Sequence, residues 1–536
     1  MPRGHLAIVL HTHLPWVRHP EHPRALEERW LFEAITESYV PLVTAFDRMA
    51  ADRVPFALSM SLTPPVVAML RDDMLRRRYH EHLARIEGLA AREAARLEHD
   101  ERFGPVARFY VDHLAAVRRK WDELSGDVVG ALLAHADAGR IDLLACSATH
   151  AYLPGLLPTR RSLRAQLAIG VRAFERATGR KAAGLWLPEC AYSPEFDADL
   201  AAAGVRYTLV DTHGIALARP RPPFGVHAPI ASPSGVVFFG RDVDSSRQVW
   251  SRHEGYPGDA YYRDFYRDVG FDLPTDLLGE EIGPFGVRLM TGLKYFRITG
   301  AGDAKEPYQP GIAAERTAAH AEHFLAKRVA QVEALAASMP VAPIVVAPYD
   351  TELFGHWWFE GPVFLEALFR KLAHAHAAGD DTLAATTLGG YLAANPVVVR
   401  ATPSASSWGA GGYGRVWVGD DAASLWRHVH HASRYVEWLV ARYRDAGGER
   451  GRALDMAIRQ LLLLQSSDWA FILTTGTVRD YALARVRAHV HRLRHLGWLV
   501  EKPALEADDV AFLDDLGDRD SFLGEMSGDD LRSPYL

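Results

Sequence analysis

Short apolar runs, each followed at once by a polar and aromatic cluster, restrict what this chain can fold into. Residues 6–10 run into HTHLPW, 55–60 into SLTPP and 141–146 into SATHAYLP. Further along, 182–187 run into PECAYSPE, 205–210 into DTHG and 343–347 into PYDTELFGHWW. A continuous apolar run of this length reads as a strand buried on both faces, the habit of a parallel sheet. Helical patterns lie between many of them, at 160–178, 194–203, 311–339 and 362–378. Alternating strands and helices give an α/β architecture. In parallel barrels chemistry collects where strands end and loops begin, and the clusters occupy those positions.

Two stretches break the alternation. Residues 66–140, rich in Ala, Leu, Arg and Glu at helical spacing, read as a helical insertion between two barrel strands. After about residue 404 the strands stop. Three amphipathic helices are expected at 424–445, 452–466 and 478–499. The join TPSASSWGAGGYGRVWVGDD is rich in Gly and Ser and carries Trp408, Tyr413 and Trp417. The expected organisation is a catalytic barrel over 1–403, a Gly/Trp-rich connecting loop over 404–423, and a helical C-terminal domain over 424–536. That last part ends in an acidic tail. From Glu501 to Leu536 there are 11 Asp/Glu and 3 Lys/Arg, a net −8 against −7 for the whole chain. The remainder is near neutral and shows no basic stripe, which sets nucleic acid aside as a partner. Two cysteines, Cys146 and Cys190, cannot make a disulfide framework. Only five apolar residues in a row follow the N-terminus, too few for a signal-peptide core. No stretch approaches the roughly 18 apolar residues of a membrane span. The expectation is a large cytoplasmic protein without membrane contact, with its oligomeric state open.

Several residues carry chemistry. His11 and His13 end the first run, and positions i and i+2 of a strand share a face. The pair suits metal ligation, hydrogen bonding to a polar substrate, or plain satisfaction by backbone groups. Glu189 follows a strongly apolar run, with Pro188 fixing the backbone before it and Trp186 offering an aromatic face. Asp350, in APYDTE, repeats that arrangement far along the chain; its plain role would be a helix N-cap. Two acids at the mouths of two strands fit the two-carboxylate requirement of glycoside chemistry. Trp16, Trp30, Trp186, Trp250, Trp357, Trp358, Trp408 and Trp417 fall mostly in loops or strand ends, where indoles stack on the C–H faces of sugars. The cysteines adjoin buried runs and read as small hydrophobes.

At this point the motifs resemble glycoside hydrolase family 57. HTHLPW (11–16), CSATHAYLPGL (146–156), GLWLPECAYSPE (184–195), APYDTELFGHWWFEGP (347–362) and LLLLQSSDWAFILTTG (461–476) look like its five signature regions, in order. LPECAY, ELFGHWW and SSDW look most like the 1,4-α-glucan branching enzymes of that family. The resemblance implies an incomplete (β/α)7 barrel with a helical insertion and an all-helical C-terminal domain. It implies Glu189 as nucleophile and Asp350 as general acid/base, with His11, His13, His150 and Asp468 lining the donor-sugar site. Stretches 239–242 and 255–259 look like its substrate-contacting segments, bringing Arg241 and Gly258, with Trp250 between them. Trp30, Trp408 and Trp417 resemble groove aromatics. No metal and no cofactor are implied, and the partner implied is an α-glucan. The interval between Glu189 and Arg241 is short for the long loop that some branching members carry over the site.

Other readings stay open. An α-amylase or a 4-α-glucanotransferase of the same family shares the chemistry up to the acceptor. A metal-dependent deacetylase or mannosidase-like enzyme would use His11 and His13 as ligands, with Asp211 or His213 added. A catalytically dead glycan binder is opposed by the intact acid pair.

Overall fold

The apolar runs become parallel strands. A computed structural model describes residues 2–251, 254–279, 285–300, 302 and 304–536. Its strands are β1 (Gly4–Thr12), β2 (Leu58–Leu62), β3 (Ile141–Leu144), β4 (Tyr207–Val210), β5 (Ile230–Ala231), β6 (Val237–Gly240), β7 (Ile344–Asp350), β8 (Leu383–Ala385) and β9 (Val399–Arg400). One sheet has the order β3-β2-β1-β7 with β8 also on β1; the other has the order β4-β6-β5-β9. Except for the antiparallel β5–β6 pair, these ladders are parallel.

The two sheets are halves of one incomplete barrel. The run expected as a strand at 182–187 makes only single bridges, Leu185 with Ala145 and Gly184 with Tyr207. Pro188 has no N–H to donate, and Glu189 turns into the left-handed region (φ 62°), so the ladder ends there. The segment nevertheless fills the slot between β3 and β4. On the other side the Asp242 N–H donates to the Val346 carbonyl at 2.9 Å, linking the end of β6 to β7. The circuit β7, β1, β2, β3, 184–187, β4, β6 is the seven-membered barrel.

Strand alternation decides what fills it. Ala7 and Val9 pack inward with Leu144, Cys146, Trp186, Leu209, Phe239 and Val346, while Leu6, Ile8 and Leu10 join the cluster under the surrounding helices. Successive side chains on a strand face opposite ways. His11 and His13 continue the inward set past the end of the apolar plug. Both cysteines are free and buried.

The insertion between β2 and β3 consists of helices Pro64–Leu70, Asp73–Arg96, Gly104–Glu123 and Val128–Asp137. After β9 the chain is helical, with Ala423–Tyr443, Gly448–Leu464 and Arg479–Glu501 close to the expected positions. A short helix, Ser467–Thr475, fills the interval between the second and third expected helices. The acidic end is also folded. Ala507–Arg519 starts with a capping box between Glu506 and Asp509, and Gly528–Arg532 follows. Phe522, Leu523, Met526, Leu531 and Tyr535 are buried. Two of its acids meet bases elsewhere, Asp520 with Arg492 at 2.7 Å and Asp530 with Arg176, while Asp509 pairs with Lys502 of the same stretch at 2.7 Å. Charge counting read this stretch as a tail because it could not see the complementary surface. Among the described residues no helix is long and apolar enough to cross a membrane.

Helix Arg160–Thr178 lies against the end of β3 through Gly170, where an added Cβ would come 2.2 Å from the Cys146 carbonyl oxygen. Helix propensity alone favours Gly→Ala by about 1 kcal/mol. The clash reverses the sign. Gly170→Ala is expected to lower stability by about 1–3 kcal/mol, read as a lower midpoint in thermal unfolding; an unchanged or raised midpoint would refute the close approach.

Candidate active site

The inward face of β1 meets two other strands at one level. His11 is in register with Ser61 of β2 and with Asp350 of β7. His11 and Asp350, with Ser61 buried behind His11, open into a cleft of about 790 Å³. Its floor is a stack of rings: His11 lies on Trp186 (4.3 Å between centroids, 7° between planes), and His150 lies 3.8 Å from His13. The ring nitrogens are engaged. His11 Nδ1 meets Ser61 Oγ at 2.6 Å and its Nε2 meets His150 Nε2 at 2.9 Å. His13 Nδ1 meets Thr63 Oγ1 at 3.1 Å, and its Nε2 meets Asp468 Oδ2 at 3.0 Å. Burial holds His11 and His150 well below the usual imidazole range, so both are neutral.

Glu189 projects into the same cleft from the turn after the 184–187 segment. Burial pushes its carboxyl up to about 7, with Asp350 and Asp468 adding to the rise. Two donors oppose it. Trp408 Nε1–H donates to Oε2 at 2.8 Å and Ser467 Oγ–H to Oε1 at 3.1 Å. A donor to the charged form favours ionisation. Asp350 stands differently. Burial, then the neighbouring Glu352, push it well above the usual carboxylate range, with Arg241 opposing. Among the described residues no donor reaches its carboxyl. The environment therefore makes Glu189 the acid that ionises first and Asp350 the one that keeps its proton.

The walls use most of the aromatics named from sequence. Trp30, Trp250, Trp408 and Trp417 line the cleft. Trp408 does more than line it. Besides gripping Glu189, it stands under the Arg241 guanidinium, 5.5 Å from the ring centroid, and edge-on to Trp186. Arg241 is fixed by Asp211 at 3.1 Å and by Ser246. Trp417 touches the cleft but is 2% exposed and stacks on Tyr152, so it shapes the wall more than it offers a face. Trp186, read as an offered aromatic face, is fully buried beneath His11. Gly258 is not brought to the cleft: its turn, Tyr256–Gly258, packs through Tyr256 on His320 and His323 of helix Pro310–Ala336. Asp468 does reach the cleft. Burial works against its charge, yet His13 and Ser466 hold its carboxyl below the usual range.

Sequence reasoning missed Ser467 and Glu352. Glu352 is a third acid at the mouth, pushed up to about 7 by burial and held by the Tyr39 hydroxyl at 2.5 Å. A second acid two residues after Asp350 was the available signal. Trp357 is 46% exposed on the cleft wall. The donor set of a metal-dependent alternative is not assembled. His213 gives its Nε2 to the Gly412 carbonyl and pairs with Asp211. Among the described residues no group of three or more His, Cys, Asp or Glu is placed to hold an ion.

Known proteins resemble the chain over nearly its whole length. Residues 7–268 match the model of glycosyl hydrolase family 57, and residues 428–529 match that of the 1,4-alpha-glucan branching enzyme C-terminal region. A 1,4-alpha-glucan branching enzyme of Thermococcus kodakarensis is 31% identical over 557 residues, covering 97% of this chain and 77% of that one. Among solved structures, the alpha-amylase AmyC of Thermotoga maritima is similar with a TM-score of 0.89 at 37% identity, over 99% of each chain. A branching enzyme of Pyrococcus horikoshii is similar with a TM-score of 0.88 at 30% identity, over 100% of this chain and 97% of the other.

Trp408→Phe keeps a ring and removes the donor to Glu189. A hydrogen bond to a charged group contributes about 1.5–3 kcal/mol, which is roughly one to two pH units. The Glu189 carboxyl, followed by 13C NMR, is expected to titrate that much higher in the variant. An unshifted titration would show that the indole N–H does not hold the charged form.

Proposed function

The chain belongs to glycosyl hydrolase family 57, and from that premise we propose that it is a retaining 1,4-α-glucan branching enzyme. It cleaves an α-1,4 link and transfers the released chain to a glucose 6-hydroxyl. The observation that carries the reading is the unequal treatment of two part-buried carboxyls in one aromatic cleft: among the described residues Glu189 receives two donors and Asp350 none. A retaining glycosidase needs one ionised and one protonated acid about 5–5.5 Å apart.

In the first step Asp350 gives its proton to the glycosidic oxygen while a Glu189 oxygen attacks the anomeric carbon. The C–O bond to the leaving chain breaks and a covalent β-glucosyl-enzyme forms. In the second step Asp350, now ionised, takes the proton of an acceptor hydroxyl. That oxygen displaces Glu189 with a second inversion, so the configuration is retained. In this reading Asp468 accepts from a donor-sugar hydroxyl, while His11, His13 and His150 line the same wall with their ring nitrogens engaged inside the protein. Neither step needs a metal or a cofactor. The pH dependence follows: activity falls on the acid side as Glu189 takes up a proton, and on the alkaline side as Asp350 loses its own.

Branching and hydrolysis differ in whether a sugar hydroxyl or water meets the glucosyl-enzyme. The C-terminal match to branching enzymes and the aromatic walls support transfer. An α-amylase is the second reading. It is favoured by the likeness to AmyC over nearly the whole of both chains and by the short interval between Glu189 and Arg241.

Product analysis on amylose tests the proposal. New α-1,6 links should outnumber new reducing ends; the opposite ratio assigns the amylase reading. Glu189→Gln should lower both products by roughly a thousandfold or more with an unchanged unfolding midpoint. Because Trp408 holds Glu189, Trp408→Ala is expected to lower cleavage and transfer together, not transfer alone.

A further inference from the structure

The helical C-terminal domain reaches Glu189 through one side chain. Ser467 begins the helix Ser467–Thr475 and is 2% exposed. Its Oγ lies 3.1 Å from Glu189 Oε1 and 2.8 Å from His150 Nδ1, and its backbone N–H donates to the His150 carbonyl at 3.1 Å. Both residues it touches have left-handed backbones, with φ 54° at His150 and 62° at Glu189. Such a conformation is costly for a residue with a Cβ and persists only where its surroundings hold it. Here one residue from another part of the fold bonds to both.

The contacts continue in a line across the barrel mouth. His150 Nε2 meets His11 Nε2, and His11 Nδ1 meets Ser61 Oγ. Proton counting gives this line a single direction. An ionised Glu189 only accepts, so the one Ser467 proton goes to it. The Ser467 oxygen must then accept from His150 Nδ1–H. A neutral His150 leaves Nε2 bare, so His11 supplies Nε2–H. A neutral His11 leaves Nδ1 bare, so the Ser61 hydroxyl donates to it. Every hydrogen bond runs towards Glu189, and no member is left with two protons or two lone pairs facing.

We infer that Ser467 is a positioning residue for the nucleophile. It terminates a one-way hydrogen-bond chain, Ser61 to His11 to His150 to Ser467, that fixes the plane and rotamer of the Glu189 carboxylate. This rests on Glu189 being the nucleophile. It gives the helical domain a part in forming the glucosyl-enzyme, beyond closing the cleft. Trp408 holds the other oxygen, so the carboxylate is gripped from both sides, once from the connecting loop and once from the helical domain.

The test uses full-length Ser467→Ala, Ser467→Cys and Ser467→Thr with α-maltosyl fluoride. Fluoride leaves without a proton from an acid, so a defect in Asp350 is bypassed and a defect in Glu189 is not. Loss of one hydrogen bond to a charged group should lower kcat about 10- to 100-fold in Ser467→Ala. KM should stay within about threefold, since the contact is made in the free enzyme and is not one to the sugar. Ser467→Thr should recover most of the rate, and Ser467→Cys, a weak donor of similar size, should fall between. Unfolding midpoints of the three should not follow that order. Wild-type kcat in Ser467→Ala, or rates that track the unfolding midpoint with Thr no better than Ala, would overturn the inference and leave Ser467 a domain-packing contact. Glu189→Gln on the same donor separates the two claims: wild-type turnover there would overturn the nucleophile assignment itself.

Discussion

The site depends on one layer of parallel pairing. His11 sits between Ser61 and Asp350 at the ends of three neighbouring strands. Below that layer Ala7, Val9, Leu144, Leu209 and Val346 fill most of the barrel, with Ser59 and Asp142 hydrogen-bonded among them; at that layer stand His11, Ser61 and Asp350. A one-residue slip in β1 would turn His11 and His13 outwards and point Leu10 and Thr12 into the mouth. The apolar plug therefore fixes more than stability. It fixes the height at which polar chemistry starts, because the small Ala7 and Val9 fit the barrel interior that Leu6, Ile8 and Leu10 would overfill.

Above the plug the difficulty is charge without water. Glu189, Asp350, Glu352 and Asp468 face one cleft, and burial raises the cost of ionising each of them. The structure answers that cost unequally. Asp468 has His13 and Ser466, Glu189 has Trp408 and Ser467, and Glu352 has the Tyr39 hydroxyl. Among the described residues Asp350 has the Arg241 charge and no hydrogen-bond donor. Two carboxyls of similar intrinsic acidity are thereby separated into a base form and an acid form. The separation comes from who donates to whom and needs no change of residue type.

The helical part is joined to this chemistry along its whole length. The acidic end docks through Asp520 on Arg492 and Asp530 on Arg176, and the short helix from Ser467 carries Asp468 and Phe471 to the cleft wall. Between the two, Gly448–Leu464 and Arg479–Glu501 pack closely against each other. The result is a wall braced from behind, so that side chains from residue 408 onwards can complete a site begun at residue 11.

Much of this was legible in the sequence, and for identifiable reasons. Unbroken apolar runs announce parallel strands because only burial on both faces tolerates them. His11 and His13 share a face because strand periodicity is two. Glu189 and Asp350 stood out because an acid at the end of an apolar strand has few structural excuses. The sequence also carried the helical pattern of 160–178, which matches Arg160–Thr178. Other features belonged to tertiary structure alone. Trp186 has the composition of a sugar platform, but only the packing decides that His11 covers it. Trp408 read as a groove ring, and only the approach of the 408–414 loop makes it a donor to Glu189. Gly258 carried no mark of the helix that its turn packs on. Ser467 lies 278 residues from Glu189, and no local pattern can announce a contact between segments so far apart in the chain. Local sequence set what each segment becomes, because strand and helix periodicity are local. Which side chains share a proton was decided by docking, because hydrogen bonds depend on distances between segments that the chain order does not constrain.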